Sequence, residues 1–281
     1  MPPERPIDLR YEQDPMTSRE CAARYRQSLE AGDDDVHLAL IDYRAGREEL
    51  DLGIEYAGSP DPLDRATGAD ILAQLGWGEP YRAWVPESVA ILIPLLSDPD
   101  NRVVERAAVA LGFRGDPAAI PHLIQHAAHP DPSVRYGVAH ALASWNTTET
   151  VETLIHLAND PDRDVRDWAI FGLPESGPHF SQALPALLKA LDDPHPIVRS
   201  QALEKLALAG HPGTLEAIAR ELLRPDVDFV TFEAAESLGD PQLLPLLEAC
   251  RSQSPKDGSP YDHYLERAIL RCREGGDNPR E

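Results

Sequence analysis

One leucine recurs through most of the chain at nearly constant spacing. Leu72, Leu111, Leu142, Leu173, Leu206 and Leu238 are separated by 39, 31, 31, 33 and 32 residues. A period in this range belongs to a supersecondary unit repeated in tandem, and such a unit must bury its apolar face on its neighbours. Upstream of each leucine lies a Pro/Asp turn: Ser59-Pro60-Asp61-Pro62, Asp98-Pro99-Asp100, His129-Pro130-Asp131-Pro132, Asp160-Pro161-Asp162, Asp193-Pro194-His195-Pro196 and Pro225-Asp226. Pro stops one helix and Asp caps the next. An aliphatic–Arg pair follows in three copies, Val134-Arg135, Val165-Arg166 and Val198-Arg199.

Each copy therefore reads as helix, turn, helix. Ile120, Leu123, Ile124 and Ala127 give the first helix its apolar spacing, and Val134, Val138, Ala141, Leu142 and Trp145 give the second helix its buried side. Links such as Arg114-Gly115-Asp116-Pro117 supply a Gly stop and a Pro start. The spacing predicts helix pairs at 47–57/62–75, 86–97/101–112, 117–128/132–145, 149–159/163–174, 182–191/196–209 and 213–223/228–238, then 241–251 and 261–273. The expected fold is all-α, a solenoid of about six to seven helical hairpins.

The units resemble HEAT repeats, in particular the variant known from phycobilisome lyases. Ile120-Pro121-His122-Leu123-Ile124, His129-Pro130-Asp131-Pro132-Ser133-Val134-Arg135 and Val138-Ala139-His140-Ala141-Leu142 carry a whole unit of the pattern. Asp160 to Leu173 and Asp193 to Leu206 carry its second half. The resemblance implies that Asp and Arg six residues apart form a ladder bridging neighbouring repeats. Asp160/Arg166 and Asp193/Arg199 keep both members, His129/Arg135 replaces the acid, and Ser59/Arg65 and Asp98/Val104 each lack one.

Residues 1–16 are Pro-rich and charged and read as a disordered segment. Residues 17–46 are expected to form a helical cap, opened by the capping box Thr17-x-x-Glu20 and continued by a helix capped at Asp33-Asp34-Asp35. The repeats span 47–251, followed over 252–281 by a flexible linker, a last helix and a tail, with no internal boundary.

The acid–base balance narrows the partner. Against 26 Lys and Arg stand 48 Asp and Glu, a net charge of −22. Such a surface repels phosphate backbones and steers basic partners inward; it also serves solubility. Nucleic acid is disfavoured, and with it the HEAT-like alkylpurine DNA glycosylases, which need a basic groove. The 3 Cys are scattered, without a CxxC pattern, which fits a reducing compartment and argues against zinc or disulfides. No apolar run is long enough to span a bilayer, and the start of the chain lacks an apolar leader, so a cytoplasmic monomer is expected.

In this repeat type second helices line the concave face. Counting one and five residues after the Arg position gives two outward columns: Ala66, Glu105, Tyr136, Asp167, Ser200 and Phe232, then Asp70, Val109, His140, Phe171, Glu204 and Glu236. Their middle is aromatic and acidic, and Glu105, Tyr136, His140, Asp167, Trp168, Phe171 and Glu204 are the candidate partner-binding residues. Trp77, Tyr81 and Trp84, in an insertion around 76–86, form a second candidate contact or fold back between repeats.

No catalytic, cofactor or metal site is read. HEAT-like deoxyhypusine hydroxylases hold iron through His-Glu pairs, and this chain has no His-Glu dipeptide. His122, His126 and His129 share a helix end without a carboxylate or Cys partner. The expected function is a non-enzymatic scaffold holding a basic protein, in the manner of an immunity or antitoxin protein. The alternative, which the lyase resemblance implies, is a lyase or chaperone-like accessory for a bilin-bearing protein.

Overall fold

A computed structural model describes residues 14–31, 37–75, 84–253 and 260–275. The Asp33-Asp34-Asp35 cap, Trp77, Tyr81, most of the 1–16 segment, most of the linker and the tail lie outside the described residues. Among the described residues the chain is all-α, with no strand. By contact it forms two compact units, Met1–Ser144 and Trp145–Glu281.

The first unit opens with α1 (Ser18–Ala31) and α2 (His37–Arg44). The capping box expected at Thr17 is formed: Glu20 Oε2 accepts from Thr17 N at 2.8 Å, and Thr17 Oγ1 accepts from Glu20 N at 3.2 Å. Three hairpins follow: α3 (Arg47–Ala57) with α4 (Pro62–Ala73), α5 (Val85–Leu95) with α6 (Asn101–Arg114), and α7 (Ile120–Ile124) with α8 (Pro132–Leu142). Second helix packs on second helix, α4 on α6 and α6 on α8, the stacking of an α-solenoid. Two glycines set how closely the helices approach. A Cβ on Gly68 of α4 would lie 2.3 Å from the Ala57 backbone nitrogen, and one on Gly137 of α8 would lie 2.8 Å from the Glu105 carbonyl oxygen of α6.

The second unit holds four hairpins: α9 (Thr148–Leu157) with α10 (Arg163–Gly172), α11 (Phe180–Ala190) with α12 (Pro196–Leu208), α13 (Thr214–Leu222) with α14 (Phe229–Leu238), and α15 (Leu244–Gln253) with α16 (Pro260–Glu274). Here α10 packs on α12, α12 on α14 and α14 on α16. Its core includes Leu203, Ile218, Leu222, Phe232, Leu247, Leu265 and Ile269, all buried.

Asp caps start the second helices as the sequence predicts. Asp61, Asp100, Asp131, Asp162 and Asp228 each accept from the backbone N–H two residues on, at 2.8–3.0 Å. Two expectations need correction. The helix expected over 117–128 is a short 3-10 turn, Pro117–Ala119, followed by α7, and it loosens after Ile124. There His126 N and Ala127 N bond three residues back, to Leu123 and Ile124, at 2.9 and 3.1 Å. Trp145, expected at the buried side of α8, lies past the end of that helix and is half-buried.

Candidate functional site

The turns carry the ladder, and they fix the register from which the second-helix face is read. Four residues after the N-cap stands Arg65, Arg135, Arg166 or Arg199, and each donates through Nη1 to two carbonyls of its own turn. Arg65 also grips Asp98 with Nε and Nη2, at 2.6 and 2.9 Å, and Arg166 grips Asp193 the same way, at 2.7 and 3.0 Å. The arginine therefore binds the acid of the following turn rather than the acid six residues before it. Ser59/Arg65 and Asp98/Val104, each incomplete in sequence, complete each other. His129 does the acid's local work, accepting the Asp131 N–H on Nδ1 at 3.1 Å. Arg199 is fully buried and turns to Glu221, at 2.9 and 2.6 Å, with Asp226 at 3.3 Å.

Counted from the N-caps, the face columns lie five and nine residues in. Phe232 is therefore not outward: it takes the arginine position of α14 and is fully buried, edge-on to Tyr261. The Arg224–Asp228 turn is one residue longer than the others, and this slip hid Glu233, the true face residue of α14. The columns are also less exposed than their outward reading. Ala66, Asp70 and Ser200 are buried, and Ser200 shares a 3.0 Å hydroxyl hydrogen bond with Thr231.

The candidate residues divide between the units. In the first, Glu105, Tyr136 and His140 are half-buried on α6 and α8. Tyr136 and Phe113 flank the His140 ring, centroids 6.4 and 5.2 Å away, and burial lowers the His140 pKa. Beside them Arg106 lies 3.6 Å from both Glu105 and Asp70. Asp70 accepts from the Tyr25 hydroxyl at 2.8 Å, and burial pushes its carboxyl up to about 6. Trp84 is half-buried at the start of α5, with the Arg47 guanidinium 5.9 Å above its ring.

In the second unit Trp168 and Phe171 of α10 meet edge to face, centroids 5.3 Å apart, and Phe171 is 45% exposed. Asp167 stands beside them. One of its oxygens, Oδ1, is sealed from solvent and has no hydrogen-bond donor. Burial first, then Asp164 and Asp228, push its carboxyl up to about 6. Burial also raises Glu204 on α12 and Glu233 on α14, and Glu204 adds to the shift of Glu233. Nearby cations are engaged elsewhere. Lys205 pairs with Glu175 at 3.2 Å and sits 5.3 Å over the Phe171 ring, and Arg267 holds Glu236 at 2.8 Å. Among the described residues no cation reaches ion-pair distance of Asp167, Glu204 or Glu233.

Among the described residues no group of three or more His, Cys, Asp or Glu is arranged to hold a metal ion. His126 instead donates through Nδ1 to the His122 carbonyl at 2.9 Å. None of the described helices is long and apolar enough to cross a membrane.

Comparisons with known proteins point the same way as the turns. The HEAT repeats profile matches residues 50–143, 120–179, 151–239 and 184–257. Protein YibA of Escherichia coli strain K12 is 26% identical over 246 residues, 80% of this chain and 86% of that protein. The X-ray structure of the Escherichia coli YibA protein superposes with a TM-score of 0.60 at 22% identity, covering 97% of this chain and 99% of that one. Kap121p gives 0.65 at 15% identity over 91% of this chain and 35% of its own. The complex of CpcE and CpcF of phycocyanin lyase from Nostoc sp. PCC7120 gives 0.53 at 18% identity, covering 79% and 93%. At these identities the three structures share the fold with this chain.

Proposed function

Because the chain belongs to the HEAT repeat family, we propose that it is a non-enzymatic scaffold whose second-helix face binds a basic protein. One contrast carries this reading. The ladder acids Asp98 and Asp193 are each gripped by an arginine, whereas the face acids Asp167, Glu204 and Glu233 have no cation at ion-pair distance among the described residues. Asp167 stands beside Trp168 and the exposed Phe171, and aromatic anchors beside carboxylates suit Lys- and Arg-bearing surfaces. The net charge of −22 speeds the approach of such a partner. An immunity or antitoxin role, occluding a basic effector, fits this chemistry, as does a monomeric, cytoplasmic protein. Residues 17–46 serve as the cap of the first unit: Cys21, Ala22, Leu40 and Ile41 cover Leu52 and Ile71 at its end.

The test is affinity capture from native lysate at low and moderate salt, comparing wild type with a Tyr136→Ala/Asp167→Lys/Phe171→Ala variant. Retention of a basic protein by wild type and its loss by the variant supports the proposal. Equal retention by both moves the contact to Trp84 and its loop or to the first helices. The bilin-accessory alternative has fold likeness to phycocyanin lyase behind it and no particular residue. A change in visible absorbance on mixing with free bilin would favour it.

A further inference from the structure

The three unpaired face acids lie on successive second helices of one unit, Asp167 on α10, Glu204 on α12 and Glu233 on α14. Packed helices stand about 8–10 Å apart, so the repeat itself sets the step between these carboxylates. Asp167 and Glu233 lie five residues after their N-caps, and Glu204 lies nine after His195. Four residues of helix add about 6 Å of offset, which lengthens each step to roughly 11 Å. A polyproline II chain has three residues per turn and rises about 3.1 Å per residue, so every third side chain faces the same way at steps of about 9 Å, and the reach of a long side chain absorbs the remainder. Three residues of an α-helix cover only about 4.5 Å.

We propose that the α10–α12–α14 face binds a polyproline II segment of the partner in which Lys or Arg recurs at every third residue, one cation for each of Asp167, Glu204 and Glu233. This rests on the basic-partner reading above and gives it a sequence rule. The segment runs across the helices, along the stacking direction within this unit. Because Oδ1 of Asp167 is sealed, the incoming cation is left the other carboxylate oxygen, and Phe171 beside it, 45% exposed, carries the aliphatic stem. Ser200, the face residue of α12 five after its cap, is buried against Thr231, so on that helix the acid nine after the cap takes its place. Arg166, Lys205 and Arg267 make their ion pairs with other acids, Asp193, Glu175 and Glu236, so Lys205 and Arg267 act on Glu204 and Glu233 only through space, without ion-pair contact.

The test uses the full chain and two labelled nine-residue peptides of identical composition, three Arg among six Gly and Ser. In one the Arg residues stand at every third position, and in the other they are contiguous. Fluorescence anisotropy at low salt is expected to show the spaced peptide binding about tenfold more tightly, since only it engages all three carboxylates at once. An Asp167→Asn/Glu204→Gln/Glu233→Gln variant with unchanged circular dichroism and Tm is expected to lose that preference. Equal affinity for the two peptides, or no binding of either, overturns the spacing rule; capture of a basic protein that depends on Asp167 would still uphold the broader reading. A preference that survives in the triple variant overturns the placement of the site. If lysate capture fails as well, the basic-partner reading falls with it.

Discussion

Arg65 offers a measurable test of what the ladder does. Its guanidinium makes four hydrogen bonds, two to the Asp98 carboxylate and two to the carbonyls of Ser59 and Pro60. The side chains are 15% and 7% exposed, so the pair is close to buried. Substituting Arg65→Met keeps the aliphatic stem and removes all four donors. Asp98 keeps the Asp100 N–H at 2.9 Å but loses its counter-charge. Breaking a buried pair from one side costs about 3–5 kcal/mol, and partial exposure puts this case near the lower end, at ~3 kcal/mol. At roughly 2–4 °C per kcal/mol for a chain of this size, Tm should fall by about 6–12 °C.

The cycle with Asp98→Ala separates two roles. If Arg65 ties neighbouring turns together, the double variant should lose less than the sum of the singles, with a coupling of at least about 1 kcal/mol. If its work is only to cap its own turn, Asp98→Ala should cost little and the two losses should add. Acid titration gives a second check. Arg65 holds the Asp98 carboxyl below its usual range, so the stabilisation is present above the unfolded-state pKa, about 3.9, and disappears as pH falls through the still lower folded value. Between pH 5 and 8 the coupling should not vary. A coupling near zero in urea unfolding at pH 7 would refute the ladder as a bridge between repeats.

Other outcomes follow from groups already described. Asp70 titrates at about 6 when folded, well above its unfolded value, so its contribution to stability should fall as pH rises from about 4 to 6. Asp70→Asn, scanned calorimetrically, should flatten that slope and raise Tm at pH 7.5 by about 2–4 °C. Gly68→Ala forces a Cβ into the Ala57 backbone and should cost at least about 1–3 kcal/mol in denaturant unfolding; a neutral result would mean that α3 and α4 can separate freely. Binding of the spaced Arg peptide needs ionised Asp167, so its affinity should weaken as pH drops through about 6, and a flat profile from pH 5 to 8 would exclude Asp167 from the contact.

Most helix positions were legible because each turn announces itself chemically. A Pro that cannot continue a helix and an Asp that caps the next lie together in the sequence, and neither needs tertiary information to be read. Register was less legible. One added residue between Arg224 and Asp228 moves the α14 face from Phe232 to Glu233, and only the N-cap hydrogen bond from Val230 to Asp228 shows which residue starts the helix. The ladder pairing was hidden for a similar reason: the partner of Arg65 is 33 residues away, whereas the residue six before it offers only its carbonyl. Burial of Ser200 could not be read from its own column, because it depends on a hydroxyl on the neighbouring helix.

The two sets of acids make opposite contributions to the same fold. Asp98, held below its usual range by Arg65, favours the native state when ionised. Asp167, Glu204 and Glu233 are raised by burial and by neighbouring acids, so their ionised forms oppose it at neutral pH. A cation delivered to that face removes part of the opposition without altering the ladder. Partner binding should therefore stabilise the second unit by more than contact area alone suggests, and release protons as the carboxyls return toward their ordinary range. Calorimetric binding in two buffers of different ionisation enthalpy would register those protons. Identical heats in both buffers at pH 6 would show that the face acids are not where the cations land.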